Sequence, residues 1–174
     1  MWYVIQTLSG GEDAVQQECM AKIDPKILES SIIFYYEEKI RYAGAWHTRK
    51  KKWFPGYVFL ISENVEALYK ELKQIPSLTR LLGTGDEIVP LTEEEVELLK
   101  TFADDEQTVR MSEGIIVGKR AVVTTGPLQG KEALIRKIDR HKRKAWLEME
   151  LFGRKQRIEV GLEIVRKIEE TEEV

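Results

Sequence analysis

Hydrophobic and polar residues alternate at strand and helix spacing through the first part of the chain. The aromatic and β-branched run of residues 2–7 predicts a strand. Apolar residues recur between positions 15 and 23 at the spacing of one helical face, which predicts a helix. Ser9 followed by Glu12 is typical of a capping box, so we expect that helix to begin there.

The next segment combines short apolar runs with a strongly basic stretch. Residues 32–36 predict a second strand, and residues 37–52, polar and then basic, predict an excursion or a hairpin. The apolar run that follows is interrupted by Pro55 and Gly56. Because proline is disfavoured inside a central strand, we place a turn there and a strand over residues 57–61.

Two further helices follow from capping residues. Asn64 is a good N-cap for a helix whose apolar residues recur as far as Ile75, and Pro76 marks the end of that helix. Thr92 and Glu95 form a second capping box, which predicts a third helix running to residue 102.

The remainder of the chain changes to short strands at regular spacing, separated by turn residues. Residues 121–125, 133–138, 145–152 and 157–160 have this pattern, which is typical of a small β-barrel. Residues 104–113 are polar and lack periodicity, so we interpret them as a linker. The predicted fold class is α+β, with an N-terminal domain over residues 1–103 and a barrel over residues 114–174.

Charge is distributed unevenly between these two parts. The net charge is −3 overall, but residues 1–105 hold 12 Lys and Arg against 18 Asp and Glu, net −6. Residues 114–168 hold 14 against 6, net +8. An acidic part joined to a basic part indicates different partners, and the basic part has the charge expected for contact with a polyanion.

Several functional classes are disfavoured by composition. No run approaches the roughly 20 apolar residues that span a bilayer, and the N-terminus does not resemble a secretion signal. With Cys19 as the only cysteine, we expect a cytoplasmic protein without a membrane partner. One cysteine and two histidines do not make a usual zinc site, and no phosphate-binding glycine loop is present. We therefore expect no cofactor, no metal and no enzymatic activity.

Five segments along the chain form a recognisable ordered set. In the first half these are WYVIQT, KKWFPGYVFL and IPSLTRLLG with IVPLTEEEV; in the second half they are VGKRAVVTTGPLQGKEALIRKID and ELFGRKQRIEV. Together they resemble the NusG family of transcription elongation factors. The resemblance implies an NGN domain, an antiparallel sheet flanked by helices, followed by an SH3-like KOW β-barrel. The basic segment KIDRHKRK and the insert YAGAWHTRKKKW are more similar to the specialised paralogs of the LoaP type.

In the first domain, the resemblance implies a hydrophobic pocket that receives the clamp helices of RNA polymerase. The matching residues are Phe54, Tyr57 and Phe59, with Gln6 at a further lining position. Strand alternation places Tyr57 and Phe59 on one face. That face suits a partner groove, although both rings packing under a helix is the alternative.

Basic residues supply the predicted nucleic-acid contacts. The run Arg49, Lys50, Lys51 and Lys52 is either a solvated loop or a contact with the non-template DNA strand. In the barrel, cations that crowd two strand turns and their surroundings predict binding to a hairpin in the nascent RNA, unless they only solubilise the domain. These cations are Lys131, Arg136, Lys137, Arg140, Lys142, Arg143, Lys144, Arg154, Lys155 and Arg157. Phe152 matches a position that contacts protein partners in the family, or else it belongs to the core.

The sequence thus predicts a monomeric, processive antiterminator that tethers to RNA polymerase and contacts RNA through its barrel. Two alternatives remain open. One is a general NusG factor that couples polymerase to a ribosomal protein or to other transcription factors. The other is a ribosome-associated RNA-binding protein that uses the KOW barrel alone.

Overall fold

The computed structural model describes residues 1–75, 80–81 and 90–170. The chain divides into two compact units, Met1–Ile33 with Phe54–Leu98 and Phe34–Trp53 with Leu99–Val174. This division assigns the basic hairpin segment to the unit that holds the barrel. The domain boundaries drawn from the sequence stay a prediction. None of the helices in the described ranges is long and apolar enough to cross a bilayer.

The first unit contains a four-stranded sheet with the order β2-β5-β1-β6. Its strands are β1 (Trp2–Gln6), β2 (Ser30–Ile32), β5 (Tyr57–Ile61) and β6 (Arg80–Leu81). Strand β5 lies between β1 and β2 and pairs with both in antiparallel fashion. The predicted strand over residues 57–61 is confirmed, and the first strand ends one residue before its predicted end.

The described residues form three α-helices: α1 (Glu12–Lys22), α2 (Val65–Leu72) and α3 (Glu93–Phe102). The caps predicted for the second and third helices are confirmed. Asn64 Oδ1 accepts a hydrogen bond from the backbone N–H of Ala67 at 3.1 Å. Thr92 and Glu95 each accept a hydrogen bond from the backbone N–H of the other, at 3.1 and 3.0 Å. Pro76, predicted to end α2, lies outside the described residues.

The capping box predicted for α1 between Ser9 and Glu12 is wrong. Gly11 is the N-cap residue, and no side chain caps the helix there. The Glu12 carboxylate instead accepts the backbone N–H of Gly10 at 3.0 Å and that of Gly56 at 2.7 Å. The Glu12 side chain thus stabilises the loops at Gly10 and Gly56 instead of forming a capping box with Ser9.

The second unit contains a long hairpin made by β3 (Tyr35–Tyr42) and β4 (Ala45–Lys52). Ala43 and Gly44 connect the strands with positive φ angles of 52° and 76°, as a two-residue type I′ turn requires. Strand β7 (Thr108–Val109) runs parallel to β3 and completes a three-stranded sheet.

The barrel of the second unit is a five-stranded sheet with the order β10-β11-β12-β8-β9. Its strands are β8 (Ser112–Val117), β9 (Arg120–Thr125), β10 (Ile135–Asp139), β11 (Lys144–Leu151) and β12 (Arg154–Ile168), and a 3-10 turn (Glu132–Leu134) precedes β10. Strand β12 pairs antiparallel with β11 along its first half and parallel with β8 along its second half. Alternate residues of β11 are buried, as expected for a barrel wall.

One strand prediction is corrected by this architecture. The strand predicted over residues 32–36 is interrupted at Ile33 and Phe34, and its two ends belong to different sheets. The segment predicted as a linker, residues 104–113, contains β7 and the first residues of β8. Strand β7 pairs with β3, which lies about 70 residues earlier in the sequence, so local periodicity does not reveal β7.

Candidate macromolecule-binding surfaces

A network of backbone hydrogen bonds fixes the Pro-Gly-Tyr turn of the first unit. Gly56 accepts a hydrogen bond from the Thr7 N–H at 2.8 Å and donates its own N–H to Glu12. Gly56 has a φ of +86°, and a Cβ added there would lie 3.0 Å from the carbonyl oxygen of Thr7. Only glycine fits this position without strain, so the turn presents the start of β5 in one fixed geometry.

Most of the aromatic surface predicted for polymerase contact is buried. Phe54 is 6% exposed and Phe59 is 0% exposed, and their ring centroids are 5.7 Å apart. The expectation that Phe59 lies on an open face is therefore wrong. Strand β5 is an inner strand, and Val58, Phe59 and Leu60 are all buried, so alternation does not separate a core face from an open one. Tyr57 and its cross-strand partner Gln6 are half-buried and remain at the edge of this region.

The basic run on β4 lies beside acidic residues of the same unit. Arg49, Lys50 and Lys51 are exposed and Lys52 is half-buried. Lys50 Nζ is 3.2 Å from a carboxylate oxygen of Glu106. The run is therefore part of a regular strand in which charges are partly balanced, rather than a loop.

The fully buried carboxylate of Glu38 on β3 contacts three cationic side chains. Arg49 Nε donates to its Oε1 at 2.6 Å, Lys51 Nζ is 3.9 Å from the same oxygen, and Lys144 Nζ of β11 is 2.6 Å from Oε2. Burial alone raises the pKa of the Glu38 carboxyl, but contacts with Lys144 and Arg49 outweigh it and hold that pKa below its usual value.

Glu159 on β12 extends this cluster. Its carboxylate accepts the hydroxyl of Tyr36 at 2.9 Å and lies 3.4 Å from Lys144 Nζ, while its backbone carbonyl accepts the indole N–H of Trp53 at 3.0 Å. Burial, followed by the hydrogen bond to Glu159, raises the pKa of Tyr36, so its phenol stays protonated as a donor. Hairpin and barrel are thus joined by charged and polar side chains.

Arg143, in the turn between β10 and β11, is held in the same way. Its guanidinium lies 3.9 Å from the ring centroid of Trp46 and 3.2 Å from a carboxylate oxygen of Glu163. Lys39 Nζ contacts the other oxygen of Glu163 at 3.0 Å. Two of the predicted RNA-binding residues, Arg143 and Lys144, therefore have their charges matched by acids.

The outer face of the barrel mixes both signs of charge. Arg136 Nε is 3.3 Å and Lys155 Nζ is 3.7 Å from the carboxylate of Glu148. Lys137 Nζ lies 5.0 Å from the ring centroid of Trp146, which is half-buried on this face. This face therefore carries both positive and negative side chains and is not uniformly basic.

The remaining predicted cations differ in their surroundings. Arg140, Lys142 and Arg157 are exposed, and within the described part of the chain no carboxylate lies within ion-pair distance of them. Lys131 donates to the Pro127 carbonyl at 2.8 Å and lies over the ring of Phe102, whereas Arg154 is exposed. Phe152 is half-buried, in a turn where its φ is +59°.

Residues 1–100 match the protein family described as transcription termination factor NusG. The chain belongs to the NusG family. Its relatives include the transcription termination/antitermination proteins NusG of Rickettsia felis, 24% identical over 95% of this chain and 89% of the relative, and of Buchnera aphidicola, 27% identical over 95% of both. The resemblance found in the sequence is thereby confirmed.

The solved structure of Thermotoga maritima NusG supports the fold. It is similar with a TM-score of 0.55 and 22% identity, over 94% of this chain and 93% of that one. The predicted fold class, α+β with an NGN domain followed by a KOW barrel, is confirmed. By the family match and its relatives, the chain is a NusG-family transcription termination/antitermination factor.

Sequence reasoning missed the acidic residues that organise the second unit of this NusG-family chain. Glu38 and Tyr36 occupy alternate positions on β3 and are both buried, so strand parity alone would have marked Glu38 as inward-facing. No local signal links either residue to Lys144 or Glu159, which are more than 100 positions away. The charge-matching of the basic turn is a purely tertiary feature.

Proposed function

We propose that this NusG-family factor is a specialised processive antiterminator, of the kind that the LoaP-type paralogs represent. It tethers to the clamp helices of RNA polymerase through its first unit and contacts nascent RNA through its barrel. It acts by binding, not by catalysis: holding polymerase in an elongating state requires only a higher affinity for that state.

The observation that carries the RNA-binding part is a set of exposed cations, Arg140, Lys142 and Arg157, for which the described residues provide no carboxylate within ion-pair distance. Arginine both stacks on bases and forms paired hydrogen bonds to phosphate, which suits a folded hairpin. Arg143 and Lys144 already form ion pairs with acidic residues. They therefore contribute less to the binding of an anionic partner, unless that partner replaces the acidic residues. We therefore take Arg140, Lys142 and Arg157 as the principal candidates of the predicted RNA-binding set.

An RNA titration tests this part. Replacing Arg140, Lys142 and Arg157 by alanine should weaken binding of a hairpin RNA and flatten the dependence of log K on log salt by about two to three units, since each phosphate contact contributes about 0.7–0.9. The matched control removes three exposed cations of the first unit, Lys22, Lys26 and Lys70. Equal salt slopes in the two triple variants would contradict the assignment.

The polymerase-binding part rests on family membership and on the fixed turn before β5. Tyr57 is the one residue of the predicted aromatic trio that keeps a solvent-facing part. Phe54 and Phe59 then act from beneath, by packing the floor of the pocket. Truncation of an aromatic residue at such a site typically costs about 2 kcal/mol or more of binding free energy.

A pull-down on purified RNA polymerase tests this part. Tyr57→Ala should lower polymerase retention at least ten-fold, whereas Tyr69→Ala, a half-buried tyrosine on α2, should not. Terminator read-through in vitro should fall in parallel. Retention that is unchanged in Tyr57→Ala would remove this residue from the interface.

A general NusG function is the second candidate, and one observation favours it. Acids match the charge of several barrel cations, so the barrel surface is less basic than its composition implies. In that case Phe152 would contact a ribosomal protein or another transcription factor, and hairpin RNA would bind weakly. The family match over residues 1–100 disfavours a ribosome-associated protein that uses the barrel alone.

A further inference from the structure

The free end of the β3–β4 hairpin carries a stacked pair of rings. The ring centroids of Tyr42 and His47 lie 3.6 Å apart, and the angle between the ring planes is 15°. Tyr42 pairs with Ala45 and Ile40 pairs with His47 across the hairpin, so both rings project from the same face. The pair therefore forms one flat stack at the end of the hairpin.

The backbone of the hairpin fixes this stack. His47 Nε2 lies 3.3 Å from the backbone carbonyl oxygen of Tyr42, which orients the imidazole against the phenol ring. The two connecting residues, Ala43 and Gly44, form the tight turn described above, and β3 and β4 pair in continuous register from Tyr42 to Tyr35. A platform that is ordered beforehand loses little conformational entropy when a ligand binds to it.

One face of the Tyr42 ring is open to solvent. Tyr42 is 55% exposed although His47 covers one side of its ring, so its contact with water lies on the opposite face and at the ring edge. Within the described ranges, every other Phe, Tyr and Trp is buried or half-buried. Trp53 is 4% exposed, and the ring of Trp46 lies against the guanidinium of Arg143. Tyr42 is therefore the ring of this segment that can accept a further stacked ring.

The charge around the stack favours a nucleic acid. Residues 39–52 hold six Lys and Arg and no Asp or Glu. Acids from other segments pair with several of these cations, but Arg41 is exposed, and the described residues place no carboxylate within ion-pair distance of it. The neighbouring residues 43–45 are Ala-Gly-Ala, which provide little apolar area for a protein partner. Tyr42 and Arg41 thus offer adjacent contacts for a base and for a phosphate.

We propose that the stack of Tyr42 and His47 binds an unpaired nucleobase, which continues the stack on the open face of Tyr42 while Arg41 contacts an adjoining phosphate. Every base has a flat aromatic face, so this site contributes affinity without reading sequence. An unpaired base comes either from a displaced DNA strand or from a transcript, and both present the same ring chemistry. The site lies apart in sequence from the exposed barrel cations, and it does not depend on the antitermination proposal.

An abasic oligonucleotide tests the stack in the full-length chain. Fluorescence anisotropy compares an oligothymidylate of about six nucleotides with an abasic strand of the same length. Tyr42→Ala should weaken binding of the oligothymidylate about five-fold or more and leave binding of the abasic strand unchanged, because only a base can stack. Tyr42→Phe keeps the ring and should bind both strands as the parent chain does.

Tyr69→Ala is the matched control, since it removes a half-buried tyrosine of α2, and it should change neither affinity. Because Tyr42 is exposed at a turn, we expect Tyr42→Ala to keep the urea unfolding midpoint of the parent chain. Equal losses for the two strands in this folded variant, or no loss for either strand, would overturn the proposal.

A second variant separates the ring from the charge. Arg41→Gln should weaken binding of both strands equally and reduce the slope of log K against log salt by about 0.7, whereas Tyr42→Ala should leave this slope unchanged. Both effects should persist when Arg140, Lys142 and Arg157 are replaced by alanine, so this test does not depend on the barrel residues. A Tyr42→Ala effect that vanishes in that background would overturn a separate site at the hairpin.

An oligouridylate of the same length identifies the source of the base. A Tyr42-dependent loss with either oligonucleotide supports the site. A larger loss with the thymidylate indicates a displaced DNA strand as the ligand, and a larger loss with the uridylate indicates a transcript. No Tyr42-dependent loss with either oligonucleotide would contradict the assignment.

Discussion

Replacing Glu38 by glutamine removes a negative charge from a side chain that has no exposure to solvent. The carboxylate has Arg49 Nε and Lys144 Nζ at 2.6 Å and Lys51 Nζ at 3.9 Å. Glutamine has almost the same shape and keeps one acceptor oxygen. The change therefore isolates the charge at the junction of β3, β4 and β11.

The size of the expected loss of stability depends on which contacts the cations around Glu38 keep in the variant. Removing one partner of a buried ion pair costs about 3–5 kcal/mol when the other charge is left uncompensated. Here Arg49 is 52% exposed and recovers water, and Lys144 keeps Glu159 at 3.4 Å. We therefore expect Glu38→Gln to lower the free energy of unfolding by about 2 kcal/mol.

The pH dependence gives a second, more specific signature. The pKa of the Glu38 carboxyl is lower in the folded protein than in the unfolded chain. Its contribution to stability is thus fully present above the unfolded value, about 4.3, and is lost as the pH falls through the folded value. The Glu38→Gln variant should lose less stability than the parent chain on acidification below pH of about 4.3.

Urea unfolding followed by tryptophan fluorescence measures both effects, because Trp46, Trp53 and Trp146 all lie in the second unit. Glu148→Gln is the matched control, since Glu148 also contacts two cations but on the outer face. The free energy of unfolding of Glu148→Gln should fall by less than about 1 kcal/mol. If the two variants lose equal stability and share one pH profile, the buried cluster does not stabilise the hairpin against the barrel.

Three further predictions concern single positions. Gly126→Ala should lower the free energy of unfolding in urea by more than about 2 kcal/mol, because Gly126 has a φ of +98° and an added Cβ would lie 2.6 Å from the β8 backbone. Gly130→Ala is the control: Gly130 has a φ of +81°, but an added Cβ meets no atom within 4 Å, so the loss should be about 1 kcal/mol. Asn64→Ala should cost about 1 kcal/mol through loss of the α2 cap, and restoring an acceptor with aspartate should recover it. Trp46→Leu should cost about 0.5–1 kcal/mol through loss of the cation–π contact with Arg143, and it should have no such effect in an Arg143→Ala background.

Family membership and the element types were within reach of the sequence because they depend on local chemistry. Asn64 and the pair Thr92 and Glu95 cap their helices as their side chains alone dictate. The strand over residues 57–61 follows from Pro55 and Gly56, whose backbone preferences force a turn before it. Such features require only neighbours within a few residues.

Only the tertiary structure decided which surfaces are open. The alternation of Tyr57 and Phe59 specifies two faces of a strand, but it does not say that β5 lies inside the sheet with Phe59 fully buried. Likewise, composition gives the net charge of the barrel segment, but not that Glu38 neutralises Lys144 from a strand about 100 residues earlier. Burial and charge pairing depend on which distant segments fold together, and this information is not present in any local window of the chain.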